Sequence, residues 1–199
     1  MKYNNYYKIV FFFSVFVFSF FNIEYVSAKD NSNLKTSVDI EGLGSLVLKK
    51  SSSKQSDTTQ LILKQSPKIT IVVDSYEGLE PHELIKYDLD NDGKMEIIAA
   101  LKYADGQNVI PYVYKIKDSL EKIFPDGESE SKLLTCREVF VTNQDSKPAL
   151  CLKYLISFHD YAPPELYKLE MYRLEDEKLK LECFFSFFIP LSSFFLTSS

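Results

Sequence analysis

The sequence predicts an all-β protein built from antiparallel meanders, and three observations predict it. From Ser45 onward, short apolar runs alternate with turn residues, the pattern of strands joined by tight connections. That region sustains no helical spacing of apolar residues over a long stretch. One segment also resembles another after a shift of 53 residues, which points to a repeated unit.

The elements follow in chain order. Lys2 and Lys8 give a positive start, Ile9 to Phe21 is apolar apart from Ser14 and Ser19, and Val26-Ser27-Ala28 fits the small-residue cleavage rule. Residues 1–28 therefore read as a secretory signal peptide, and the mature chain is expected to be secreted or periplasmic. A spanning helix needs about 20 apolar residues, so no stable membrane span is expected after cleavage. No cysteine lies near the cut to carry a lipid anchor.

Removal of 28 residues from 199 leaves enough chain for one domain with a core of its own. Residues 29–44 read as a polar lead-in, 45–184 as the β-rich domain and 185–199 as a hydrophobic tail. The whole chain carries 23 basic and 28 acidic residues. The leader takes away Lys2, Lys8 and Glu24, so the mature balance is 21 against 27, a net of −6. An acidic surface argues against nucleic acid as a partner and is compatible with cation binding.

Within the domain, Ser45 to Leu48, Gln60 to Leu63, Ile69 to Val73 and Leu84 to Lys86 read as strands, the first two separated by a Ser-rich loop. Glu96 to Tyr103, Val109 to Ile116 and Leu120 to Phe124 follow as a three-stranded meander. Pro111 would weaken a central strand, so its position is expected at an edge or a bulge. The repeat units run over about 84–127 and 137–184. Leu89 to Ile97 lies over Thr142 to Leu150, and Tyr114 to Asp118 lies over Tyr172 to Asp176 at a shift of 58. Such meanders need neighbours to cover their apolar faces. The aromatic tail Phe184 to Leu196 reads as a terminal core strand with a sticky end, or as the altered end of a longer gene.

Three cysteines remain, Cys136, Cys151 and Cys183. Export permits one disulfide, and burial as small hydrophobes is the alternative; no pairing is assigned. Zinc is not expected from two scattered histidines, His82 and His159, without a CxxC pair.

One segment carries chemistry. Asp88-Leu89-Asp90-Asn91-Asp92-Gly93-Lys94-Met95-Glu96 puts carboxylates at loop positions 1, 3, 5 and 9 and glycine at 6. Calcium takes about 6 to 8 oxygens at roughly 2.3–2.6 Å, and a loop of alternate inward carboxylates can wrap it. Gly93 permits the sharp turn, the Lys94 carbonyl is the natural backbone ligand, and Glu96 closes the shell. An EF-hand is excluded, because position 12 is Ala99 and the flanks are β-formers. Magnesium prefers stricter geometry and more water, and transition metals prefer His or Cys. The alternative is a solvated acidic turn, although four like charges within nine residues repel without a counter-ion. The second copy offers Val141, Asn143, Asp145 and Ala149 at these positions and is not expected to bind metal strongly.

DLDNDGKMEI followed by an apolar strand resembles the calcium loop of FG-GAP or VCBS repeats, the blades of integrin-α-like propellers. The resemblance implies meander blades, Ca2+ held by Asp88, Asp90, Asp92, the Lys94 carbonyl and Glu96, and an adhesive or ligand-binding surface. The chain lacks the FG-GAP phrase, holds one intact loop and is too short for a seven-bladed ring, so a small or incomplete set of blades is expected. The expected function is an exported calcium-binding β-repeat module with a protein or glycan partner. Tyr103, Tyr112, Tyr114, Tyr161, Tyr167 and Tyr172 suit an interface or strand packing. Two alternatives stand beside it. One is a hydrolase or lyase using His159-Asp160-Tyr161 or His82-Glu83, for which no nucleophile elbow or HExxH is present. The other is a truncated repeat protein.

Overall fold

A computed structural model describes residues 35–52, 57–104, 106–125, 133, 136–144, 146–156 and 165–189. The leader at 1–28, residues 29–34, Asp145, the His159-Asp160-Tyr161 group and the tail beyond 189 lie outside the described residues.

The described residues are all-β, with twelve strands in three four-stranded antiparallel sheets. Sheet one holds β1 (Ser37–Ile40), β2 (Gly44–Ser52), β3 (Asp57–Ser66) and β4 (Ile69–Glu77). Sheet two holds β5 (Leu79–Tyr87), β6 (Glu96–Tyr103), β7 (Val109–Ile116) and β8 (Leu120–Phe124). Sheet three holds β9 (Cys136–Gln144), β10 (Lys147–Ile156), β11 (Glu165–Glu175) and β12 (Lys178–Ile189). Within each sheet the strands lie side by side in chain order.

β6, β7 and β8 have the bounds read from sequence, because turn residues punctuate them on both sides. Three differences have local causes. β5 is longer than the Leu84–Lys86 run, since Pro81 and an extra residue, His82, break its alternation with β6. β1 lies inside the polar lead-in, where Val38 and Ile40 alternate with Ser37 and Asp39 over four residues only. β12 runs on to Ile189 as an edge strand, with Phe184 59% and Phe185 39% exposed in place of a core strand. Pro111 sits opposite Ala100, and the β8 ladder ends at Val113, so it occupies a local edge beside a bulge.

The register shows how closely the sheets repeat. In each, the ladder between the third and fourth strands slips by one residue at the same place. Leu61 faces Asp74 while Ile62 faces Val72; Val113 faces Phe124 while Tyr114 faces Lys122; Met171 faces Cys183 while Tyr172 faces Leu181. The extra residues of the fourth strands are Val73, Ile123 and Glu182. Sheets two and three share a second bulge, between their first two strands, where His82 and Arg137 are the extra residues. Sheet one is thus a third copy, whose first connection at 41–43 is short, turns at Gly42 and lacks the acidic run of the β5–β6 connection.

Sheet two is the middle layer. Ile97, Ala99, Leu101, Tyr112 and Tyr114 share the face toward sheet one, where the Tyr76 and Tyr112 rings lie 4.5 Å apart. Ile98, Val113 and Phe124 share the opposite face, where Phe124 meets Tyr172 of sheet three at 5.5 Å. β6 is buried from Glu96 to Leu101, which explains its unbroken apolar run. One apolar cluster passes through all three sheets. A second, centred on Ala149, Cys151 and Met171 with Phe140, Leu169 and Cys183, lies on the far face of sheet three.

All three thiols are free. Cys136 belongs to the main cluster and Cys151 to the second, so they point to opposite faces of sheet three. Burial pushes both thiols up to about 12, as befits packed hydrophobes.

Candidate functional site

The acidic segment forms the connection between β5 and β6, at the edge where sheet two meets sheet three. Two strands fix its ends. Glu96 is the first residue of β6, with Tyr87 opposite it on β5 and Lys115 opposite it on β7. Between these anchors the chain turns through Asn91 at φ 59° and Gly93 at φ 84°, conformations that asparagine and glycine adopt at low cost.

Carboxylates organise the loop by accepting backbone N–H bonds. The Asp92 N–H donates to Asp88 Oδ1 at 3.1 Å and to Asp90 Oδ1 at 3.2 Å, and the Gly93 N–H donates to Asp88 Oδ2 at 2.9 Å. The Lys94 N–H donates to Asp92 Oδ1 at 2.7 Å. These are Asx-type turns, and they explain why aspartates recur at every second position.

Asp88, Asp90 and Glu96 converge, each with an oxygen within 4.8 Å of the others. Two oxygens bonded to opposite sides of one Ca2+ would stand about 5 Å apart, so a single ion can reach all three. Asp92 is outside this group; its carboxylate turns toward the Lys94 backbone and lies 4.0 Å from the Lys94 ammonium. The Lys94 N–H bond holds the Asp92 carboxyl below its usual range.

Glu96 is the unusual member. It is fully buried, its Oε2 accepts from the Leu89 N–H at 2.8 Å, and its Oε1 has no partner. Burial pushes its carboxyl up to about 7; the Leu89 bond opposes the rise and the Asp90 charge adds to it. A buried carboxylate oxygen without a donor is costly.

Lys115 is the residue that sequence reasoning missed. Its Nζ lies 3.2 Å from Asp90 Oδ2, with only 9% of its side chain exposed. Burial works against the ammonium, but the Asp90 bond and the neighbouring carboxylates outweigh it and raise its pKa. The signal was the hairpin register: a turn at 104–108 sets Lys115 directly across from Glu96.

Two side-chain bonds tie this edge to sheet three. Asn91 Nδ2 donates to the Ser146 carbonyl at 3.1 Å, and Asn143 Nδ2 donates to the Tyr87 hydroxyl at 2.9 Å. Another polar cluster joins sheets one and two. The Tyr76 and Tyr114 hydroxyls bond to each other, Tyr114 donates to Asp74 Oδ2 at 2.9 Å, and Lys122 meets the same carboxylate at 3.3 Å. Burial lifts both phenols above their ordinary range. Tyr112 and Tyr114 are therefore packing residues, at 4% and 1% exposure.

His82 and Glu83 do not join the acidic cluster; His82 sits at the β5 bulge, and burial lowers it to about 4. Among the described residues, no helix is long and apolar enough to cross a membrane. Comparison with family models, curated proteins and solved structures finds no match to this chain.

Proposed function

We propose that this chain is an exported calcium-binding β-repeat protein, in which one Ca2+ sits between the β5–β6 connection and the start of β6 and stiffens a module that binds a protein or glycan. The observation that carries this reading is the buried, partnerless Glu96 Oε1 beside Asp88 and Asp90. A divalent cation would supply what no donor among the described residues supplies.

The charge count supports it. Asp88, Asp90, Asp92 and Glu96 bring four negative charges when ionised, and Lys94 and Lys115 bring two positive ones. The difference of two matches one divalent ion. Asp88, Asp90 and Glu96 would bind directly; Asp92 and the Lys94 carbonyl belong to the same loop. Calcium there would replace the repulsion among these carboxylates with coordination and would favour the ionised form of Glu96. The export signal and the FG-GAP/VCBS-like loop favour an extracytoplasmic setting. Three sheets repeating one bulge pattern support a comparison with a small set of propeller-like blades.

One observation favours a second reading, a metal-free loop. The Lys115 ammonium already bridges to Asp90 and would act as the internal counter-ion.

Calorimetric titration of calcium and thermal melts of the parent and of Glu96→Gln separate the two. Glutamine keeps an acceptor for the Leu89 N–H while removing the charge. The expected outcome is saturable binding by the parent, stabilised by about 2.7 kcal/mol at a hundredfold excess over Kd, and loss of that response in the variant. A folded parent that gives neither heat nor a shift overturns the calcium reading and leaves Lys115 as counter-ion.

A further inference from the structure

We propose that the Lys115 ammonium is a tethered occupant of the cation site, and that a calcium ion binds by displacing it from Asp90. The inference rests on the calcium reading above and names what regulates that site.

The bonds to the three converging carboxylates are of two kinds. Asp88 Oδ1 accepts from the Asp92 N–H and Asp88 Oδ2 from the Gly93 N–H. Asp90 Oδ1 accepts from the Asp92 N–H, and Glu96 Oε2 from the Leu89 N–H. Each of these donors is backbone, and each bond holds the loop in its turn. Among the described residues, Lys115 is the one basic side chain bonded to the trio, with its Nζ 3.2 Å from Asp90 Oδ2. That bond can open while the loop keeps its shape.

The strand sets the competition. Lys115 stands directly across from Glu96 on β7, which is paired on both sides, so its stem enters the site from a fixed point. Only 9% of its side chain and 20% of that of Asp90 are exposed, so little water screens the pair. An ion within about 2.3–2.6 Å of an Asp90 oxygen would share that carboxylate with the ammonium, and two cations so placed repel. Because the ammonium is attached to the chain, it competes at a fixed effective concentration, whatever the concentration of protein.

Asp92 is the acid that receives the displaced ammonium. It stands outside the trio with 35% of its side chain exposed, and its charge already acts on Lys115. The ammonium and the ion are thus alternative counter-ions of one site. The first holds the loop at low calcium and the second at high calcium, and the exchange weakens binding relative to the same carboxylates without the lysine.

Calorimetric titration of calcium chloride into the full chain, as its expression host processes it, tests this. Lys115→Met, Lys115→Arg and Lys117→Met stand beside the parent, and circular dichroism checks that each is folded. Methionine keeps most of the stem and removes the charge, whereas arginine keeps the charge. Lys117, two residues along in exposed pairs with Glu121 and Glu177, controls for a mere change in net charge. The expected result is binding about tenfold tighter or more in Lys115→Met, within about threefold of the parent in Lys117→Met, and no tighter than the parent in Lys115→Arg.

A second readout needs no variant. Reductive methylation of Lys115, followed by mass spectrometry, should run faster with saturating calcium than without it, since the displaced ammonium meets solvent. Calcium binding that Lys115→Met leaves unchanged or weakens, or a gain that Lys117→Met or Lys115→Arg matches, overturns the proposal and leaves the calcium reading standing. So does methylation of Lys115 that calcium does not hasten. Binding by Lys115→Met alone upholds the ammonium as occupant and overturns the calcium reading for the parent; binding by neither overturns both.

Discussion

Sheets two and three follow one pattern of strands and bulges and put it to different uses. Sheet two spends eight residues, Asp88 to Met95, between its first strands and begins β6 with buried Glu96. Sheet three uses two residues, and its first buried small side chain at the corresponding place is Ala149. Lys115 of sheet two corresponds to Arg173 of sheet three, which pairs with Glu182 within its own sheet. The difference teaches that the ladder carries the architecture while the length of one connection carries the chemistry. A repeat can acquire or lose an acidic site without altering its register.

The largest effect that tests this comparison lies in the core. Ile98 and Cys151 are equivalent, but Ile98 is sealed between two sheets and Cys151 belongs to the small outer cluster. Denaturant unfolding of Ile98→Ala should show a loss of about 3–4 kcal/mol, and of Cys151→Ala about 1 kcal/mol. Equal losses would mean that both faces are packed alike.

A smaller effect of opposite sign is expected at the last hairpins. The β11–β12 turn holds Asp176 at φ 50° and Glu177 at φ 64°, which favours glycine. The Glu177–Lys117 ion pair is exposed and contributes little. Glu177→Gly should raise the unfolding free energy by about 0.5–1 kcal/mol. Asp118→Gly in the equivalent β7–β8 turn should bring no gain, since no residue there has a positive φ.

The smallest effect is expected at the first-strand bulge, where sheet two has His82 and sheet three has Arg137. Burial keeps His82 neutral down to about 4, and the Lys102 charge adds to this. The unfolded chain binds that proton near the ordinary value of 6.5. Stability from this site is therefore complete above about 6.5 and is lost as the pH falls toward 4. Melts across that window should fall less steeply for His82→Gln than for the parent; Arg137→Gln should leave the slope unchanged.

Much of this was legible in the sequence where local signals were strong. Ala104 to Gln107 and Lys117 to Ser119 delimit β6, β7 and β8 because turn residues end each apolar run. The alternating aspartates and Gly93 marked the loop, and three of its carboxylates do converge. What stayed hidden depends on partners distant in sequence. β1 is too short to have a period, and β5 loses its alternation at His82. Asp92 matched its position in the loop, yet its oxygen is taken by a backbone N–H two residues on. Lys115 became part of the site only through a hairpin register that puts it opposite Glu96.

Val73, Ile123 and Glu182, the extra residues of the outermost strands, also bear on how the protein behaves in a crowded solution. An edge strand such as β4, with Ile69, Ile71 and Val72 exposed, is the sort of flat apolar template onto which a foreign strand can zip. A bulge bends the edge and breaks the even spacing of its free N–H and C=O groups. Repeated in all three sheets, it guards against fibre growth in the sheet plane.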